Sequence, residues 1–224
     1  MPFYQPNELP KLMVAPNGAR KVKKDHPEVP LTIEETVEVA KNCFKAGAGA
    51  IHLHVRNEKG EHVLDAGLYK EALKELEFKV PKMHIQVTTE AVGIYSPEDM
   101  RKLAYDVTPP GTSIGIAEMI PSRNPTDEDV KLYKYLTEAG TKIQHLLYDP
   151  NDIDLLVNLL NKVKELDYIP VGLGKNNFSK EWLRDSVGNN ISQKNKYYGE
   201  HTFHYWLWKN NLENLNDNEW IGFC

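Results

Sequence analysis

The chain has 224 residues, 41% of them hydrophobic and 26% charged, with a formal net charge of -5. This is ordinary for a globular protein that buries a full core as one large or two small domains. The acidic balance gives no sign of nucleic-acid binding, two cysteines imply no disulfide framework, and no signal-like or membrane-spanning apolar stretch is visible, so the cytoplasm is the expected location.

A first strand is expected near Lys11. The basic run Arg20-Lys21-Val22-Lys23-Lys24 reads as a solvated loop or as an anchor for an anionic substrate. Thr32 then opens a helix, with Glu35 completing a capping box. Ile33, Val37, Ala40, Phe44 and Gly47 fall near one helical face, and Gly47 and Gly49 turn the chain into a second strand. In that strand Ile51, Leu53 and Val55 share one face, and His52, His54 and Arg56 share the other. Imidazoles at i and i+2 can converge on one metal ion; the alternative is an exposed edge strand whose polar face meets water. A parallel sheet covered on both faces would leave this polar row needing partners. His62, after Gly60-Glu61, reads as a surface turn residue.

Further strands are expected near His84, Ser113 and Lys142, and helices from Ala66, Ser96, Thr126 and Asp152. Ser96-Pro97-Glu98-Asp99 combines a cap, a proline at the first helical position and early acids, and Thr126-Asp127-Glu128-Asp129 repeats that logic. Ile153, Leu156, Leu160 and Val163 form the apolar stripe of the fifth helix. Glu90 and Glu118 follow or end strands and are candidate catalytic carboxylates or metal ligands. The alternative for Glu118 is a rim residue paired with Arg123. His145 reads as a core or rim histidine. Strand starts roughly 30 to 40 residues apart match one βα unit each. About five units fit the chain, whereas a closed barrel of eight takes about 250 residues. The fold class is therefore α/β, a partial TIM barrel of about five units.

From about Tyr168 the composition turns to Asn, Lys, Trp and Tyr, and the βα rhythm stops. A boundary is expected there, with residues 1–167 as the barrel part and 168–224 as a separate α-rich or irregular tail. Within the tail, His201 and His204 have a spacing that permits a metal site but lack a zincin pattern. Trp206 and Trp208 read as packing residues.

Six stretches carry a family resemblance: Val14–Arg20, His26–Thr32, Ala46–Arg56, Leu64–Tyr69, Gln86–Thr89 and Ile143–Pro150. Over residues 10 to about 167 this ordered set resembles the β-keto acid cleavage enzymes. The resemblance implies a TIM barrel with a divalent metal, usually zinc. It implies acyl exchange between a β-keto acid and acetyl-CoA, giving acetoacetate and a new CoA thioester, in a homo-oligomer. His52 and His54 are the implied metal ligands, and zinc the implied Lewis acid. Thr88 and Thr89 look like the family's substrate-contacting hydroxyls. Asn17 and Arg56 are expected beside them at the substrate, Arg56 holding a carboxylate or forming an internal salt bridge. One departure stands out. The family's third ligand lies in a Val-Arg-x-Gly-x-Glu-Asp type motif, whose arginine and aspartate also serve catalysis. Val171–Asn176 resembles it in shape but lacks both acids. The resemblance stops after about five of eight units, so a truncated barrel with impaired activity is expected.

Ile169–Gly174, Trp182–Asp185, Gly188–Ser192, Lys194–Glu200, Tyr205–Asn210 and Trp220–Phe223 resemble the start of glycosyltransferase-like domains from capsular polysaccharide clusters. They carry the alternative reading of a glycosyltransferase-related protein, although Asp152-Ile153-Asp154, which has an Asp-x-Asp spacing, lies in a predicted amphipathic helix. A third reading is a non-catalytic half-barrel that pairs with a partner.

Overall fold

The structure, a computed structural model, describes residues 10–164, 171–172, 183–198 and 201–210. The chain divides into two compact units, Met1–Leu166 and Asp167–Cys224.

The first unit is built on five strands: β1 (Met13–Val14), β2 (Ala50–Leu53), β3 (His84–Thr88), β4 (Gly111–Gly115) and β5 (Lys142–Leu146). All neighbours pair in parallel, in the order β1-β2-β3-β4-β5. Helices α1 (Ile33–Lys45), α2 (Ala66–Lys79), α3 (Pro97–Val107), α4 (Ile116–Met119), α5 (Asp127–Glu138) and α6 (Asn151–Lys164) connect and follow them. The five expected strands and the five expected helices are present; the short α4, directly after β4, is an addition.

Local chemistry explains where the helices begin. Thr32 with Glu35, Ser96 with Asp99 and Thr126 with Asp129 form complete capping boxes, each satisfying two otherwise orphaned backbone donors. Asp129 does more. It is 2% exposed, and its Oδ1 accepts a hydrogen bond from Arg101 Nη1 on α3 at 2.9 Å, which ties two helix ends together.

Alternation along the strands divides the sheet chemically. Ile51, Leu53, Ile85 and Val87 enter one apolar cluster with Val37 and Ala40 of α1 and Leu73 and Leu76 of α2. Ile114 enters a second with Met100, Leu132, Leu136 and Leu159. The intervening residues are polar and in register: His52 lies opposite Gln86, and Thr88 opposite Ser113. A parallel sheet with apolar cover on both faces reads as continuous apolar runs; this one alternates because one of its faces is polar. Gly111 belongs to that face. A Cβ there would stand 2.6 Å from His84 Nε2, so glycine lets the imidazole of β3 lie against β4.

In the second unit β6 (Val171–Gly172) pairs in parallel with β7 (Leu183–Arg184), followed by a 3-10 turn at Ser192–Lys194 and helices α7 (Asn195–Tyr198) and α8 (His201–Asn210). Trp206 packs as expected: its indole donates to Val187 O at 2.7 Å and stacks on Phe203 at 5.5 Å. Leu173–Asn176, Trp182 and Trp220–Phe223 lie outside the described residues, as do the side chains of His201, His204 and Trp208. Among the described residues no helix is long and apolar enough to cross a membrane.

Candidate active site

Parallel α/β sheets present their reactive groups beyond the C-terminal ends of the strands, where loops converge. In this chain His52 lies near the end of β2 and His54 directly after it, Glu90 follows β3, Glu118 rides on α4 after β4, and Arg20 and Tyr148 come from the loops after β1 and β5.

The histidines form a row. Ring centroids of His52 and His54 are 4.8 Å apart, and those of His54 and His62 5.2 Å, both edge-on. His52 Nδ1 lies 2.6 Å from Gln86 Oε1. With the amide oxygen accepting, the proton sits on Nδ1 and Nε2 keeps its lone pair. His54 is 3% exposed; its Nε2 meets Glu90 Oε2 at 3.2 Å, while its buried Nδ1 has no hydrogen-bond partner. Burial, then the charges of His52, His62 and Arg56, push the His54 pKa down to about 2. Burial also lowers His52 and His62. The row is therefore neutral near pH 7, the state in which imidazole ligates metals.

His62 corrects the sequence reading. It is 5% exposed, not a surface residue, and its Nε2 donates to Glu90 O at 3.1 Å. A tight turn with Gly60 at φ +78 folds the chain back so that Arg56 and His62 form an antiparallel bridge. The turn at Gly60-Glu61 was legible; that it returned His62 to the row was not.

Glu90 is fixed from several directions. Its N–H donates to Thr88 Oγ1 at 3.0 Å, its carbonyl receives His62, and its carboxylate meets His54. Glu118 is the second carboxylate. Burial and the charge of Glu90 raise its pKa, against a hydrogen bond from Ala91 and the charge of Arg20. Its Oε2 folds back over Gly115, where a Cβ would come within 2.7 Å. Arg123 does not pair with Glu118 but with Asp152, at 2.7 Å.

The remaining expected substrate contacts frame the site. Asn17 Nδ2 donates to Pro30 O and to His54 O, each at 3.1 Å, so both amide protons hold backbone. Arg56, 7% exposed, directs its terminal nitrogens to the carbonyls of Gly18, Ala19, Lys21 and Gly60, and forms no salt bridge among the described residues. Thr89 Oγ1 donates to Ser113 O at 2.9 Å. Buried donors need acceptors, and in Asn17, Arg56 and Thr89 backbone oxygens supply them in place of a substrate. His145 stacks on Tyr133 at 5.7 Å, as a rim residue.

Residues 11–166 match the model of the beta-keto acid cleavage enzymes. The chain belongs to this family. It is 28% identical over 149 residues to a 3-keto-5-aminohexanoate cleavage enzyme of Acetoanaerobium sticklandii, covering 65% of this chain and 55% of the relative. It is 31% identical over 150 residues to the enzyme of that name from Fusobacterium nucleatum subsp. nucleatum, covering 62% and 53%. A 3-oxoadipate:acetyl-CoA acetyltransferase of Cupriavidus necator is 35% identical over 78 residues, 35% of this chain and 28% of the relative. The chain spans about half the length of the cleavage enzymes it matches. Among solved structures, the binary complex of ObcA with oxaloacetate superposes with a TM-score of 0.52 at 15% identity, over 66% of this chain and 37% of that one, a likeness of fold. Residues 159–224 match a domain of unknown function, DUF4422.

This member of the beta-keto acid cleavage enzyme family holds part of a donor set for a divalent metal. Two neutral imidazoles stand side by side. Yet among the described residues no group of three His, Cys, Asp or Glu side chains is placed to hold one metal ion. A catalytic zinc takes three protein ligands, so these residues fit two-thirds of such a set and do not complete it.

Proposed function

We propose that residues 1–167 carry acyl transfer between a β-keto acid and acetyl-CoA, yielding acetoacetate and a new CoA thioester. The observation that carries this reading, beyond family membership, is the pair of carboxylates beside a neutral imidazole row at the C-terminal end of the sheet. Glu118, with its raised pKa, is matched to taking a proton from the acidic carbon between a keto group and a carboxylate. Glu90, held by Thr88, His62 and His54, sets the charge that Glu118 feels. His52 and His54 are proposed as two imidazole ligands of a divalent ion, zinc by its affinity for imidazole. The third ligand is not assembled among the described residues.

The test supplies acetyl-CoA, zinc and a panel of β-keto acids to the full chain and follows new thioesters by chromatography. With the ligand set incomplete, turnover is expected well below about one per second, the low end for enzymes. It should fall at least about a hundredfold in Glu118→Gln. Thioester formation untouched by Glu118→Gln and by His52→Ala would remove the reading.

A further inference from the structure

Two carboxylates in one site repel an anionic substrate, and a side-chain cation beside them offsets that repulsion. Arg56 is the obvious candidate by sequence, and its guanidinium is already engaged with carbonyl oxygens. Those carbonyls are informative. Nη2 binds Gly18 O at 2.5 Å and Lys21 O at 3.1 Å, and Nη1 binds Ala19 O at 2.7 Å. The buried arginine thus grips the backbone on both sides of Arg20. Asn17 fixes the same loop from its other end, through Pro30 O and His54 O. Gly18, at φ +57, makes the turn.

The cations of this loop differ in their engagement. Lys23 pairs with Glu35 at 2.7 Å, and Lys21 lies 3.9 Å from Asp25. Arg20 is exposed, and among the described residues no hydrogen bond or ion pair holds its guanidinium. Its charge reaches Glu118 after β4 and Tyr148 after β5. An exposed cation on a clamped backbone, with its charge felt at Glu118, is suited to bidentate capture of a carboxylate.

We propose that Arg20 binds the substrate's carboxylate and that Arg56 is a positioning residue that holds Arg20 in place through the Gly18–Lys21 backbone. The inference rests on the acyl-transfer reading and names the group in the site that recognises its anionic substrate class.

The test compares acetoacetate with acetoacetamide, its neutral isostere, by NMR titration of the full chain. Wild type is expected to bind acetoacetate at least about tenfold more tightly, the scale of one charge-assisted bidentate contact. Arg20→Gln should erase that preference and leave acetoacetamide affinity unchanged, and Arg20→Lys should restore part of it. Arg56→Gln should lower the preference in wild type and change nothing in the Arg20→Gln background. A preference that survives Arg20→Gln overturns the role of Arg20 while the acyl-transfer reading stands. A wild type with no preference for acetoacetate overturns both. A further loss from Arg56→Gln in the Arg20→Gln background would show that Arg56 acts other than through Arg20.

Discussion

Burial decides what each polar side chain of the site does. His52, His54 and His62 are held neutral because an imidazolium among them would be desolvated. This makes stability depend on pH in a definite direction. In the unfolded chain each titrates near 6.5; in the folded chain each pKa is lower, that of His54 about 2. Below 6.5 the unfolded state takes up protons that the folded state refuses, so stability present at pH 7 is lost as pH falls. The slope reaches at most about 1.4 kcal/mol per pH unit for each histidine. Urea unfolding of metal-free protein at pH 7, 6 and 5 should show this loss. His54→Gln should make the dependence shallower, and an unchanged slope would mean that His54 does not contribute. The histidine pair itself was legible at i and i+2. The duties of Asn17 and Arg56 were not, because a sequence does not say which backbone carbonyls will need a donor.

Caps and close approaches set the elements. Asp129 is both the third residue of the α5 capping box and the partner of Arg101, at 2% exposure. Asp129→Ala should cost about 2 to 4 kcal/mol, since it removes a cap and leaves an arginine without its ion pair. Thr126→Ala, which removes the cap alone, should cost about 1 kcal/mol. Equal losses in chemical denaturation would show that the Arg101 pair contributes nothing. Gly111→Ala tests the approach of β3 to β4. Its Cβ would meet His84 Nε2 at 2.6 Å and Ile85 O at 3.2 Å. Overpacking of this kind costs about 1 to 3 kcal/mol, and a neutral result would mean that the His84 ring moves aside freely. The helix starts were readable from sequence to within a residue or two because capping is local. His62 was misread because the turn preceding it is local but its destination is not.

The barrel portion holds two apolar clusters on one side of a single sheet. Leu76 sits in the first and Leu136 in the second, both fully buried. Leu76→Ala and Leu136→Ala should each cost about 2 to 5 kcal/mol, from lost burial and the cavity left behind. As the clusters share no fully buried member, although Leu64 packs against both, the double variant should lose close to the sum, to within about 0.5 kcal/mol. Far-UV circular dichroism during urea unfolding measures all three. A double variant markedly more stable than the sum would show that the clusters relax together.

The sequence by itself determined the α/β class, the five strands, the order of helices and the family. These follow from caps, from period-two and period-3.6 patterns, and from motifs a few residues long, all of which act over one turn or one strand. It also named the imidazole pair and both carboxylates. Tertiary structure alone decided which polar groups face one another. Glu118 feels Glu90 across 28 residues of sequence, His62 reaches Glu90 from a returning hairpin, and Arg56 closes on a loop more than 30 residues earlier. Such pairings depend on strand register and loop return, and the same local patterns are compatible with many of them. The physical reason is that a buried polar atom takes the nearest acceptor the fold brings to it, and only the assembled fold determines which acceptor that is.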